Sequence, residues 1–125
     1  MLLPSMMLSY YSDALDTPKN KAFRLAYAKQ FKLQPDVYAV QGYDTAYLLA
    51  KGLAAVNGDM AKKATLYKAM EDAVIDSPRG KWKMSPSHNV VQDIYLRVVK
   101  NGENKVLGLA IKGLADPGTG CKMTA

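Results

Sequence analysis

The sequence is poor in the residues from which reactive sites are usually built: among its 125 residues are one cysteine, one histidine and one tryptophan. A lone cysteine, Cys121, allows neither a disulfide within the chain nor a cysteine metal cluster. It leaves the redox compartment open. Any catalytic triad would have to use His88, yet no Gly-x-Ser-x-Gly elbow occurs and Cys121 falls in a tail, so no catalytic residues are assigned. A metal site would need acids such as Asp13, Asp16 and Asp44 to converge, and the sequence has neither calcium-loop spacing nor a paired-histidine motif; no metal ligands are assigned. Phosphate-cradling glycine loops are missing as well. No apolar run reaches the roughly 20 residues that span a bilayer. The opening "MLLPSMMLSYY" lacks a basic start and a small-residue cleavage site, and Pro4 interrupts it, so it does not read as a secretion signal.

What is present fits one soluble domain, with 49% hydrophobic and 22% charged residues. Seventeen basic residues against eleven acids give a net charge of +6, which favours anionic partners. The basic residues are scattered from Lys19 to Lys122 with acids between them, whereas a nucleic-acid footprint is concentrated. A solvated basic surface is the reading, with no nucleic-acid partner.

The strongest start signal is "DTPKNKAFRLAYAKQF". Thr17 can cap a helix, Pro18 suits its first turn, and Asp16 adds favourable negative charge. Phe23, Ala26, Tyr27, Gln30 and Phe31 then recur on one face, which is expected to pack, with Lys21, Arg24 and Lys29 in solvent. Gln34 before Pro35 breaks this helix. A second helix begins either at Asp36, a capping residue, or near Gly42, because Val37, Tyr38 and Val40 also suit a short strand. Its packing face is read as Tyr43, Ala46, Tyr47, Ala50 and Leu53. "NGD" at Asn57 to Asp59 ends it, and a third helix is expected from about Met60 to Val74 with Ala64, Tyr67, Met70 and Val74 inward. Strands follow: "VVQDIYLRVVKNGENKVLGLAI" carries β-branched residues on either side of an Asn101 to Asn104 turn. On its first strand Gln92, Ile94, Leu96 and Val98 form the more apolar face. A short strand is also compatible with Met6 to Tyr11.

The conspicuous remainder is aromatic: Tyr10, Tyr11, Tyr38, Tyr43, Tyr47, Trp82 and Tyr95. A tyrosine has an apolar ring and a hydrogen-bonding tip, which suits helix packing and the lining of a small-molecule cleft equally. Arg79, in a Pro-Arg-Gly turn, is expected to display its guanidinium to solvent, with clamping of a carboxylate as the alternative.

In order, Thr-Pro-x-Asn-Lys-x-Phe at Thr17 to Phe23, Gly42-Tyr43-Asp44, Pro78-Arg79-Gly80 and His88 followed by Gln92 and Tyr95 resemble the carboxyl-terminal portion of the type I periplasmic binding proteins. These are the substrate-binding proteins of branched-chain amino acid ABC transporters. The resemblance runs from about Tyr10 to Met123 and implies an α/β chain with a partial type I fold: about three helices followed by a β-hairpin or small sheet. It implies a single fragment of a two-lobed protein, helical over about 16–75, β over about 79–112, with a tail at 113–125.

The function it implies is non-enzymatic and needs no cofactor: two lobes close around a branched-chain amino acid or a related carboxylate, aromatic ones included, and deliver it to a membrane permease from the periplasm. Tyr38, Gln41 and Tyr43 are the ligand-contacting candidates by that resemblance, because the equivalent stretch approaches the cleft in related proteins. The tail "ADPGTGCKM" is similar to that of members taking aromatic carboxylic acids, and implies a partner for Cys121 outside this chain. A single fragment would expose apolar surface, so a homo-oligomer is expected. A ligand-sensing regulatory domain of the same fold is the alternative reading. A small α/β protein binding anions through its positive surface is a third.

Overall fold

In a computed structural model the described residues are 5–120 and 122. Three helices and five strands follow in the order β1 (Met6–Ser9), α1 (Pro18–Phe31), α2 (Val37–Ala55), α3 (Lys63–Glu71), β2 (Val74–Ser77), β3 (Gly80–Met84), β4 (Val90–Lys100) and β5 (Glu103–Leu114). All strand pairs are antiparallel: β4 pairs with β1, β3 and β5, and β2 pairs with β3.

Local chemistry sets the element ends. Thr17 accepts the Asn20 N–H at 3.1 Å with Pro18 in the first turn, and α1 stops at Lys32, which is left-handed with φ 60° and donates its N–H to Ala28 O. At α2 the cap decides between helix and strand. Asp36 accepts the Ala39 N–H at 2.9 Å, so Val37 to Val40 enter the helix despite their β-branching. At the β4–β5 turn, Asn101 and Gly102 both have positive φ, the geometry that matches a two-residue hairpin to the strand twist.

Two apolar clusters form the core. Tyr11, Leu15, Phe23 and Val40 make the first, joined by Tyr27, Tyr43, Tyr95 and Val106. Leu48, Ala73, Ile75 and Trp82 make the second, joined by Met70, Met84 and Val90. α2 serves both, since Val40, Asp44, Leu48 and Gly52 recur every four residues on its buried face. A methyl group built at Gly52 would lie 2.8 Å from Met70 Cγ, so the glycine sets the close approach of α3. Asn20 ties the loop before α1 to the first cluster. Its Nδ2 donates to the carbonyls of Asp13 and Leu15, and its Oδ1 accepts from the Tyr11 hydroxyl.

Several packing expectations are corrected. On α2 Ala46, Tyr47 and Ala50 are exposed, and the inward stripe is offset toward Val40, Asp44 and Leu48, because the charged Asp44 is buried. On α1 Phe23 is inward, but Ala26, Gln30 and Phe31 are exposed: no described element covers that end of the helix. α3 is shorter than expected, beginning at Lys63 after an Asp59 turn, and buries Leu66 rather than Ala64 or Tyr67. Val74 belongs to β2, not α3. There the two-residue period turns Ile75 and Ser77 inward and Val74 outward. On β4 register shifts break the expected alternation: Gln92 and Tyr95 both reach Arg79, Arg97 donates to Tyr11 O, and Leu96 and Val98 share the other face, where Val98 is buried and Leu96 half-buried. On that face the paired Met6 and Leu8 are 61% and 58% exposed.

Candidate functional site

The most polar interior of the chain lies where α2 crosses the β2–β3 hairpin, between the two clusters. Ser77 pairs with Gly80, so Pro78 and Arg79 form a tight turn. Gly80 takes φ +105°, a conformation that side chains rarely adopt, and a methyl group there would come within 3.3 Å of the Tyr95 hydroxyl. The turn carries Arg79 inward rather than outward. Its side chain is only 7% exposed, contrary to the expectation of a solvent-displayed arginine, because Asp44 offers it a buried counter-charge.

Arg79 Nε donates to Asp44 Oδ2 at 2.7 Å, and Trp82 Nε1 donates to the same oxygen at 2.8 Å. The guanidinium carbon lies 4.8 Å from the centre of the Tyr10 ring and 5.3 Å from that of Trp82, within range of favourable cation–π contact. Arg79 Nη1 donates to Gln92 Oε1, and its backbone carbonyl accepts from the Tyr95 hydroxyl at 3.0 Å. Every element of the region is thereby tied to one guanidinium. Asp44 Oδ1 is buried with no partner among the described residues, so the carboxylate depends on Oδ2 alone for its hydrogen bonds. Desolvation pushes the Tyr10 and Tyr95 hydroxyls above the usual tyrosine pKa, with the Arg79 charge opposing the rise, so both stay neutral donors around neutral pH.

Above this network is a shallow cleft of about 310 Å³, walled by Tyr10, Gln41, Thr45, Trp82, Met84 and Gln92, with Asp44 and Arg79 of the network also lining it. Aromatic faces and primary amides on one wall suit a small planar solute with hydrogen-bonding oxygens. Thr45 is not free for such a role, since its hydroxyl donates to Gln41 O at 2.8 Å.

The three ligand-contacting candidates do not converge. Tyr38 is 74% exposed on the first turn of α2, and Gln41, three residues on, shares that side and lines the cleft. Tyr43 faces the other way. Its ring packs 5.0 Å from Phe23 and 4.7 Å from Tyr47, and it lines an apolar groove between α1 and α2 with Phe23, Tyr27 and Phe31. His88 is remote from both, exposed and 3.0 Å from Glu71. Cys121 lies outside the described residues. Among the described residues no three histidine, cysteine or acidic side chains gather as a metal site, and no helix is long and apolar enough to cross a membrane.

The sequence places Asp44, Arg79 and Gln92 in three separate motifs, and what it did not show is that they meet in one buried network. A signal existed in Asp44, which stands between Val40 and Leu48 on an otherwise apolar stripe, where a charge requires a partner.

A family model described as periplasmic binding protein matches residues 4–104. Among solved structures, the chain is 43% identical to a solute-binding protein of an ABC transporter from R. palustris in complex with benzoate, with TM-score 0.90 over 96% of this chain and 33% of that one. It is 34% identical to a solute-binding protein from Rhodopseudomonas palustris BisB5 in complex with 3,4-dihydroxybenzoic acid, with TM-score 0.82 over 93% of this chain and 33% of that one. A Desulfitobacterium hafniense substrate-binding protein in complex with Leu shares the fold, at 23% identity and TM-score 0.71 over 82% of this chain and 30% of that one. The chain thus spans about a third of the length of the proteins it matches. No curated protein matches it.

Proposed function

The chain belongs to the periplasmic binding protein family, and from that premise we propose that it forms one part of the solute-binding component of an ABC transporter for an aromatic carboxylate of the benzoate class. The observation that carries this reading is the 43% identity, over 96% of the chain, to a protein in complex with benzoate. The likeness to the leucine-bound protein, at 23% identity, extends to the fold alone. The cleft agrees with the choice, since its wall offers the rings of Tyr10 and Trp82 and the amides of Gln41 and Gln92.

In this reading the mechanism is closure of two lobes about a hinge, with the solute held between them and no bond made or broken. This chain supplies part of one wall, and the remaining contacts come from the portion of the fold that it does not span. Tyr38 and Gln41 touch the solute. Tyr43, on the opposite side of α2, packs against Phe23 instead. The full protein works in the periplasm and passes its solute to a permease.

Transplantation provides the test. The chain replaces the matching third of the R. palustris benzoate-binding protein, and benzoate and leucine are titrated calorimetrically into the chimera after circular dichroism has confirmed its fold. Heat from benzoate alone is the expected result. A folded chimera that takes up leucine and ignores benzoate would overturn the aromatic assignment.

The chain by itself is proposed to self-associate. Phe31, Leu33, Met6 and Leu8 are each more than half exposed, and apolar surface of this kind drives association. Light scattering at micromolar concentration should give a mass above the 13.7 kDa of one chain; a strictly monomeric species would sink the idea.

A further inference from the structure

At the base of the cleft, chemistry alone orients one amide. A guanidinium carries N–H donors and no acceptor. The atom of Gln92 that meets Arg79 Nη1 is therefore its carbonyl oxygen. Turning the amide over, which is neutral at many surface positions, would here oppose donor to donor. Arg79 cannot turn aside to relieve that clash, because Asp44 holds its Nε at 2.7 Å and the rings of Tyr10 and Trp82 flank its plane. Gln92 lines the cleft together with Gln41. With Oε1 engaged, the end of the amide left for the cleft is Nε2, and no described residue accepts from it.

We infer that Gln92 is a specificity-determining residue, held by Arg79 so that an N–H of its amide donates to a carboxylate oxygen of the bound solute. This rests on the solute-binding reading above and deepens it. Arg79 also lines the cleft; toward Gln92 it acts as a positioning residue, holding the amide oxygen through Nη1. The arrangement selects ligands by the polarity of their end group. A carboxylate is all acceptor and takes such a donor, whereas an ammonium group would face N–H against N–H. Glutamate at the same position would keep an oxygen for Arg79, strengthen that contact by its charge, and present an acceptor to the cleft.

The experiment uses the folded chimera described above, in which these 125 residues replace the matching third of the R. palustris benzoate-binding protein, labelled with nitrogen-15, titrated with sodium benzoate and followed through its side-chain amide resonances. Millimolar affinity is sufficient for detection. The Gln92 pair is expected to move together with that of Gln41. Gln92→Glu is expected to keep or raise the melting temperature while weakening benzoate affinity at least tenfold, a separation that a merely structural role would not produce. If benzoate moves Gln41 but leaves the Gln92 pair in place, or if Gln92→Glu binds within twofold of the original chimera, the inference is overturned and the solute-binding reading survives. If benzoate moves no resonance up to its solubility limit, that reading fails and takes the inference with it. Should Gln92→Glu not fold, the response of the Gln92 pair in the original chimera decides the matter.

Discussion

Replacing Arg79 with methionine is expected to destabilise the chain by about 3–5 kcal/mol, because it leaves the Asp44 carboxylate buried without its counter-charge. Asp44 is 2% exposed, and one of its oxygens already lacks a partner. After the substitution only Trp82 Nε1 would still donate to it. Given that a domain of this size is held by roughly 5–15 kcal/mol in total, a loss on this scale would leave much of the population unfolded on mild warming. Arg79→Lys should fall in between, since an ammonium keeps the charge but loses the planar fork that reaches Asp44 and Gln92 together.

The informative comparison is the double variant Asp44→Leu with Arg79→Met, which removes both charges. Apolar replacement of a whole buried pair is often neutral, so the double variant should recover most of the stability lost by the single one. Urea unfolding followed by circular dichroism measures all four proteins. An Arg79→Met chain within 1 kcal/mol of the original, as an order of magnitude for a minor contact, would show that the pair does not hold the hairpin to α2.

The second large effect is expected at Phe23. Its ring meets Tyr11 at 6.5 Å, Tyr27 at 5.9 Å and Tyr43 at 5.0 Å, so it is the common member of three aromatic contacts. Phe23→Ala should cost about 3–5 kcal/mol from lost burial and the void left among side chains that cannot all close in. Phe31→Ala makes the control. Phe31 is 57% exposed at the uncovered end of the same helix, and its loss should be within roughly 0.5 kcal/mol, as for most surface positions. Thermal melts of the two variants at equal concentration separate these outcomes. Equal losses would mean that the groove between α1 and α2 is covered in solution, for example by a second copy of the chain.

These two sites also mark how far the amino acids could be read. Phe23 was legible as packing because its role follows from helical spacing after a capped start at Thr17 and Pro18. The order of helices before strands was legible for the same reason, and so were α1, the break at Pro35 and the Asn101-Gly102 hairpin: each is governed by backbone chemistry within a few residues, whereas the partial type I fold was implied only by the resemblance. The face of α2 was misread. A period of apolar residues places Tyr43, Tyr47 and Ala50 together, and although Asp44 stands on the competing stripe of Val40 and Leu48, nothing local reveals the partner that lets its carboxylate be buried. Of the ligand candidates, Gln41 lines the cleft, while Tyr43 shares its segment but lines the apolar groove on the other side of the helix.

What the sequence determined by itself was the set of local elements, their order and a family resemblance carried by short motifs. Tertiary structure alone decided which of their faces met. Asp44 finds its partner 35 residues later at Arg79, and Arg79 reaches Gln92 a further 13 residues on. A helix cap is a bond between neighbours and is written into adjacent letters. A buried ion pair is satisfied only when packing brings distant residues within 3 Å of each other, and no local pattern of residues records that distance.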